Sequence, residues 1–295
     1  MSSIAETQEL AAQIREHQQL EASVVLFSTV ILVYDYILTF DQEVSLIWFH
    51  RSSWGLTSVL FLVNRYLPFL NIANSVWHTF LPGATPASCK IAYLAIIWMG
   101  LLGLGITEIV LTFRTWAIWQ RSGRLAVLLP VLFLAVWGPI FTVLGVFAKT
   151  LQLAPPPYPW FLGCNVVAAS PILSIVWALL IVYEAGIRIW VAYRGYISYR
   201  SGSNTALFKA IYRDGILYYL YLFVLSVINI IVIKVSPRNT FLLASVECVI
   251  HSILGSRMIL HIRKIARSDP FHNGELSSVG HTDNDVRLNP IQFAQ

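Results

Sequence analysis

Charged side chains lie inside long apolar stretches of this sequence, and they are its strongest candidates for chemistry. The acids and bases are Asp35, Glu108, Glu184, Glu247, Arg65, Arg188 and Arg257. An unpaired charge at the centre of a membrane helix costs about 2.5–3.5 kcal/mol, so such residues persist where they are paired or hydrated. The set predicts a buried charge network, either structural salt bridges or a polar cavity for a ligand, an ion or protons.

Familiar catalytic and cofactor motifs are absent from the sequence. It has no H-E-x-x-H, C-x-x-C, P-loop or G-x-S-x-G pattern. Glu247 and His251 are one helical turn apart and suit two metal ligands, but a third and a fourth would have to come from elsewhere. The last apolar stretch has no interior lysine for a retinal Schiff base. We therefore predict no enzyme activity, no cofactor and no metal.

The composition assigns these residues to a membrane protein. Of the 295 residues, 57% are hydrophobic and only 12% are charged, against about 25% charged in soluble domains. The net charge is +5, but the basic residues lie between apolar stretches, where they set orientation in a bilayer. Nucleic-acid binding is therefore not predicted.

Seven stretches reach the length of about 20 apolar residues that a helix needs to cross a bilayer. They predict an all-α, seven-helix bundle over residues 22–262, between an N-terminal tail (1–21) and a disordered polar tail (263–295). The spans run from Ala22 to Phe40, Trp54 to Phe80, Cys89 to Phe113, Leu125 to Phe147, Ala169 to Tyr193, Gly215 to Val235 and Thr240 to Ile262.

The Lys and Arg residues fall mostly on one set of alternate connections, which predicts an exoplasmic N-terminus and a cytosolic C-terminus. The membrane would be the plasma membrane or an endomembrane. Between the first two spans, the polar segment Asp41–Trp54 carries Trp48 and Phe49 beside charges. It is predicted to lie along the cytosolic interface, as a simple turn or as a partner-docking surface.

Distances along the predicted helices suggest partners for the charges. Asp35 and Arg257 both lie about 8 Å from the cytosolic end, on helices that are neighbours in a ring of seven. They predict a salt bridge between the first and last helices. Arg65, at about 18 Å, is nearest in depth to Glu247, at about 22 Å.

The remaining acids can share one arginine. Glu108 and Arg188 come out at similar depths, about 8 and 7 Å. Glu184 and Arg188 are also four residues apart on one helix, with the acid first, which is the favourable order. Every buried charge thus has a possible partner.

Two of the cysteines share the exoplasmic side in this topology. Cys89 opens the third span, and Cys164 lies in the loop between spans four and five. A disulfide there would contribute about 2–4 kcal/mol in an oxidising compartment. The alternative is two free thiols. The placement resembles that of G-protein-coupled receptors, in which the top of the third helix is tied to the second exoplasmic loop.

A long motif covers the first two spans. It reads Y-D-Y-I-L-T-F-D-Q-E-V from Tyr34 to Val44, then I-W at Ile47, then L-F-L-V-N-R-Y from Leu60 to Tyr66. It resembles a domain of unknown function common in multi-pass membrane proteins of basidiomycete fungi, which would cover residues 22–70. The resemblance implies a seven-helix layout and brings no established activity or ligand. Its motif residues are Tyr34, Asp35, Asp41, Glu43, Trp48, Asn64, Arg65 and Tyr66.

The expected topology, the cysteine placement and the basic cytosolic loops favour a receptor-like seven-helix sensor. Its partners would be the lipid bilayer, an unknown ligand and a cytosolic signalling protein. The alternatives are a small-solute or ion transporter, favoured by the buried charges, and a structural membrane protein.

Overall fold

The computed structural model describes residues 2–49, 55–80, 85–119, 122–155, 158, 161–168, 172–200, 221, 223–232 and 243–268. These residues are mostly helical, with one two-stranded antiparallel hairpin. The helices are α1 (Ser2–Glu43), α2 (Leu56–Phe80), α3 (Pro86–Ile118), α4 (Gly123–Thr150), α5 (Leu173–Arg200), α6 (Phe223–Val232) and α7 (Ala244–Ser268). Strands β1 (Gln152–Ala154) and β2 (Asn165–Ala168) separate α4 from α5, and a π-helical turn (Val44–Trp48) follows α1 directly.

Five helical stretches of the described chain are long and apolar enough to cross a membrane. They are Ala11–Trp48, Leu56–Phe80, Pro86–Ala117, Gly123–Thr150 and Leu173–Arg194. Large apolar side chains such as Val30, Ile37, Val127 and Leu134 are exposed on them, as lipid-facing residues are. The predicted helical membrane protein is thus confirmed at the level of five helices, and the count of seven spans stays a prediction.

Helices α3 and α7 hold the bundle together. Helix α7 packs against α1, α2 and α3, and α3 also packs against α4 and α5. The largest apolar core joins α3, α4 and α5, with Trp137 of α4 and Trp177 of α5 both buried. Helix α7 is therefore enclosed by its neighbours, with only Arg257 and Lys264 exposed among its described residues.

Three element boundaries differ from the sequence-based expectation. The residues expected as an N-terminal tail are helical from Ser2 and continuous with α1. The segment expected at the interface begins as the end of α1, and its residues 50–54 lie outside the described part. Helix α7 continues to Ser268, past the expected end at Ile262, and Arg263 in this extension donates to the carbonyl of Leu46 at 3.2 Å and to Ser58 Oγ at 2.7 Å. Residues 269–295 of the expected tail lie outside the description.

The approach of α3 to α4 depends on Gly105, where an added Cβ would lie 3.1 Å from the ring of Trp137. We expect Gly105→Leu to lower the free energy of unfolding by about 1–3 kcal/mol, because an overpacked core forces its neighbours to shift. Thermal unfolding in detergent micelles measures the loss. Gly145→Leu on α4 is the matched control, since no described atom lies within 4 Å of its Cβ position. Equal losses for the two variants would contradict the expectation.

Candidate functional site

One face of α1 carries polar side chains into the bundle. Asp35, Thr39, Glu43 and Ile47 follow one another at intervals of four residues, a spacing that places them on one side of a helix. All four are buried, whereas Tyr34 and Asp41 of the same motif are exposed. The face that holds the acids therefore meets α2 and α7, and the other face meets lipid or the interface.

Arg65 of α2 is the centre of this face. Its Nη1 lies 3.1 Å from Asp35 Oδ2, and its Nε lies 3.0 Å from Glu43 Oε2. Its Nη2 donates to Thr39 Oγ1 at 2.5 Å, and its guanidinium lies 5.0 Å from the centre of the Tyr36 ring. The side chain is only 4% exposed. A planar group with several donors serves these partners at once, which a lysine ammonium does not.

Arg257 of α7 completes the set, with Nε 2.6 Å from Asp35 Oδ1. This is the pair that the sequence suggested between the first and last helices. Asp35, Glu43, Arg65 and Arg257 form what we call the charge cluster, in which two acids face two bases. The expected partnership of Arg65 with Glu247 is not found, because Arg65 is engaged by α1.

The length of α1 explains why Asp35 meets Arg65. The sequence placed the end of this helix at Phe40, whereas helical structure continues through Trp48. Asp35 therefore lies about 20 Å, not 8 Å, from the end of its helix. That height is close to the height of about 18 Å expected for Arg65. The lengthened α7 likewise places Arg257 about 17 Å from the end of its helix.

Glu43 binds two further residues of the same motif. The Tyr66 hydroxyl donates to Glu43 Oε1 at 2.7 Å, and Trp48 Nε1 donates to the same oxygen at 3.1 Å. Glu43 is fully buried, although its polar surroundings in the sequence suggested the interface. The signal that sequence reasoning missed was its spacing of four residues from Thr39 and eight from Asp35.

The remaining motif residue, Asn64, ties three helices together. Its Nδ2 donates to the carbonyl of Ser252 at 2.9 Å and to Ser256 Oγ at 3.1 Å, both on α7. Its Oδ1 accepts from Thr107 Oγ1 of α3 at 2.7 Å. The buried motif residues are thus engaged with other protein groups, an arrangement that stabilises the bundle.

A second polar group lies between α3, α5 and α7. Glu108, Glu184 and His251 are almost fully buried, and each offers a ligand atom within 4.8 Å of the others. Glu247 adds a fourth group, with Oε1 3.7 Å from His251 Nε2. We call these four residues the carboxylate cluster.

Helix α6 supplies hydrogen bonds to this cluster. Ser226 Oγ donates to Glu247 Oε1 at 3.1 Å and to Glu184 Oε1 at 3.3 Å, and Asn229 Nδ2 donates to Glu247 Oε2. The side chain of Arg188 lies outside the described residues, and so do its expected pairs with Glu108 and Glu184. Chemically the cluster could exchange protons or hold a cation. Sequence reasoning included Glu108, Glu184 and Glu247 in the buried charge network and singled out Glu247 and His251 as possible metal ligands. It did not bring Glu108 and Glu184 to this pair, because convergence from other helices leaves no spacing signal.

Cys89 and Cys164 form a disulfide bond, with their Cα atoms 5.6 Å apart. It joins the first turn of α3 to the residue before β2. We call this end of the bundle the disulfide end. The third cysteine, Cys248, is free.

The loop beside the disulfide is held against the bundle at two further points. Gly163 has φ +78°, and a Cβ there would lie 2.7 Å from the carbonyl oxygen of His78 and 2.8 Å from that of Thr79. Only glycine fits this approach, since φ is positive and the space is filled. Gln18 Nε2 of α1 donates to the carbonyl of Leu162 at 2.7 Å. Residues 161–164 with β1 and β2 therefore form a cover fixed to α1, α2 and α3.

A cavity of about 120 Å³ lies among the helices at this end. Its walls are mostly apolar and include Val25, Ile97, Leu101, Leu144, Val176 and Trp177. Its polar lining includes Glu21, Asn71 and His78. Thr79 also lines the cavity, and the carbonyl groups of His78 and Thr79 lie next to Gly163 of the cover.

Comparison with known proteins gives a partial match. Residues 24–70 match a family of unknown function (DUF6533). A search of curated proteins gives no match. The matched segment includes the α1 and α2 residues of the charge cluster, namely Asp35, Glu43 and Arg65.

Proposed function

We propose that the protein is a receptor-like seven-helix membrane sensor, with its N-terminus outside and its C-terminus in the cytosol. The observation that carries the proposal is the cavity at the disulfide end beside a cover that a disulfide ties to α3. A ligand would enter at this end, and a cytosolic signalling partner would bind at the opposite end.

The charge distribution supports this division of roles. The charge cluster is neutral in sum and its groups are paired within the protein, which is typical of a structural element. The cavity instead presents polar atoms that no described residue engages. Binding chemistry is therefore expected at the disulfide end, while the charge cluster keeps α1, α2 and α7 in register.

Proximity labelling with the labelling enzyme fused to either terminus tests both orientation and partner class. We expect the C-terminal fusion to label cytosolic proteins, with heterotrimeric G-protein subunits enriched, and the N-terminal fusion to label none of them. The expected orientation rests on the excess of Lys and Arg in the loops on the same side as the C-terminus, since such loops face the cytosol. If the N-terminal fusion labelled cytosolic proteins, the proposed orientation would be wrong. A C-terminal fusion that labels no G-protein subunit above a membrane-anchored control would contradict receptor signalling.

A transporter is the second candidate, and the carboxylate cluster is the observation that favours it. Buried acids beside a histidine are found on ion and proton pathways through membranes. A protonated His251 would pair with Glu184 at 3.8 Å and with Glu247 at 3.7 Å. Proton or solute uptake into liposomes that contain the purified protein would favour transport over sensing.

A further inference from the structure

Three polar side-chain atoms of residues that line the cavity at the disulfide end have no hydrogen-bond partner among the described residues: Asn71 Oδ1, His78 Nε2 and Trp177 Nε1. Asn71 is 4% exposed, and its Oδ1, which only accepts hydrogen bonds, has no hydrogen-bond partner among the described residues. A buried polar atom left unpaired costs about 1–3 kcal/mol. The Nε2 atom of His78 is buried and unpartnered in the same sense. A bound molecule with a donor group would satisfy Asn71.

The charge of the lining points to a cation. Glu21 lines the cavity and forms no ion pair with any described residue. Among the described lining residues none is Lys or Arg. A carboxylate facing an apolar cavity is costly unless a positive charge comes close to it or it takes up a proton. An ammonium group would pair with Glu21 and could donate to Asn71 Oδ1.

The aromatic lining fits the same chemistry. Tyr93 and Trp177 both line the cavity and are buried, and the ring of His78 lies 5.0 Å from that of Tyr93. Aromatic faces attract a nearby cation and also accommodate an apolar body. The size limits that body, because an apolar cavity of roughly 150 Å³ holds a benzene ring.

We propose that this cavity binds a small organic amine, made of one ammonium group on an apolar body about the size of a benzene ring. The ammonium pairs with Glu21 and Asn71, and the apolar body lies among Leu101, Leu144 and Trp177. The site gives the proposed sensor its ligand class, and its biological meaning rests on that proposed function.

Binding is tested on the purified full-length protein in lipid nanodiscs, with benzylamine as the probe. We expect benzylamine to raise the thermal unfolding midpoint in a saturable manner, as a ligand of the folded state does. Benzyl alcohol is the matched neutral probe of similar size, and it should need at least a tenfold higher concentration for the same shift. Equal potency of the two probes, or no shift at millimolar benzylamine, would overturn the proposal.

Variants assign the effect to the cavity. Glu21→Gln should raise the benzylamine concentration needed at least tenfold, and Asn71→Ala should raise it severalfold. The control is Glu16→Gln, which removes an exposed acid from the same helix and should leave the titration unchanged. An unchanged titration for Glu21→Gln would contradict the site.

The two proposals fail in different ways. The titration uses no signalling partner, so a lack of benzylamine binding together with G-protein labelling would refute the amine site alone. Benzylamine binding without G-protein labelling would refute receptor signalling and leave the site standing.

Discussion

Replacing Arg65 by leucine is expected to cause one of the two largest losses of stability, about 3–5 kcal/mol. The reason is that Asp35 and Glu43 both pair with Arg65 at about 3 Å inside the bundle. Removing the arginine leaves two buried carboxylates with Arg257 as the only other base in the charge cluster. Thermal or denaturant unfolding of the purified protein in micelles measures the loss.

Arg257→Leu is the matched control for this prediction. Its side chain is 42% exposed, whereas that of Arg65 is 4% exposed. Water and lipid headgroups can therefore compensate for the loss of Arg257, and its removal should cost clearly less. Arg65→Lys should also remain well below the native stability, because one ammonium cannot reach Asp35, Glu43 and Thr39 together. A loss for Arg257→Leu as large as that for Arg65→Leu would contradict this view of the cluster.

Pairing within the cluster is shown by non-additive losses. The double variant Arg65→Leu with Glu43→Gln removes one base and one acid, so its loss should be smaller than the sum of the single losses. Strictly additive losses would mean that the two residues are not coupled.

The exchange variant Asp35→Arg with Arg257→Asp should be less stable than the native protein, although it keeps one acid and one base. The reason is that the new arginine at position 35 would lie against Arg65.

Breaking the disulfide is the second large effect expected. Cys164→Ser should lower the free energy of unfolding by about 2–4 kcal/mol, because the bond closes a loop between residues 75 apart in the sequence. It should also release the cover, since one of its three attachments is lost. The unfolding midpoint under non-reducing conditions measures the first effect, and limited proteolysis of the loop measures the second.

Cys248→Ala provides the control for the disulfide. It removes the free thiol of α7 and leaves the Cys89–Cys164 bond intact. Its free energy of unfolding should fall only by the small amount typical of removing one atom from a packed core. If Cys164→Ser unfolds at the same midpoint as the native protein and its loop resists protease equally, the bond contributes neither stability nor a fixed cover.

Much of the site was within reach of sequence reasoning. Asp35 and Arg257 could be paired from depth, because 1.5 Å per residue converts position in a helix into height and both helices were expected to end too early by similar lengths, at Phe40 instead of Trp48 and at Ile262 instead of Ser268. Cys89 and Cys164 could be placed on one side from the alternation of spans. Such inferences succeed because a helix in a membrane relates sequence position to height in a nearly linear way, provided that its ends are known.

The partners of Arg65 show where this reasoning stops. Polar residues from Asp41 onward suggested that the first helix had ended, and the misplaced end shifted the height of Asp35. In the folded protein Glu43 remains helical because Arg65, Tyr66 and Trp48 satisfy its carboxylate. A polar residue can stay inside a bundle when other helices supply its hydrogen bonds, and that supply cannot be read from one helix.

The sequence by itself determined that this is a helical membrane protein, because 57% hydrophobic and 12% charged residues cannot cover a soluble surface. It also determined that the buried charges need partners. Only the tertiary structure decided which partners they find, that Glu108, Glu184 and His251 converge, and that Glu21 and Asn71 face one cavity. The physical reason is that hydropathy and charge are properties of each residue, whereas convergence depends on the rotation and packing of helices distant in the sequence.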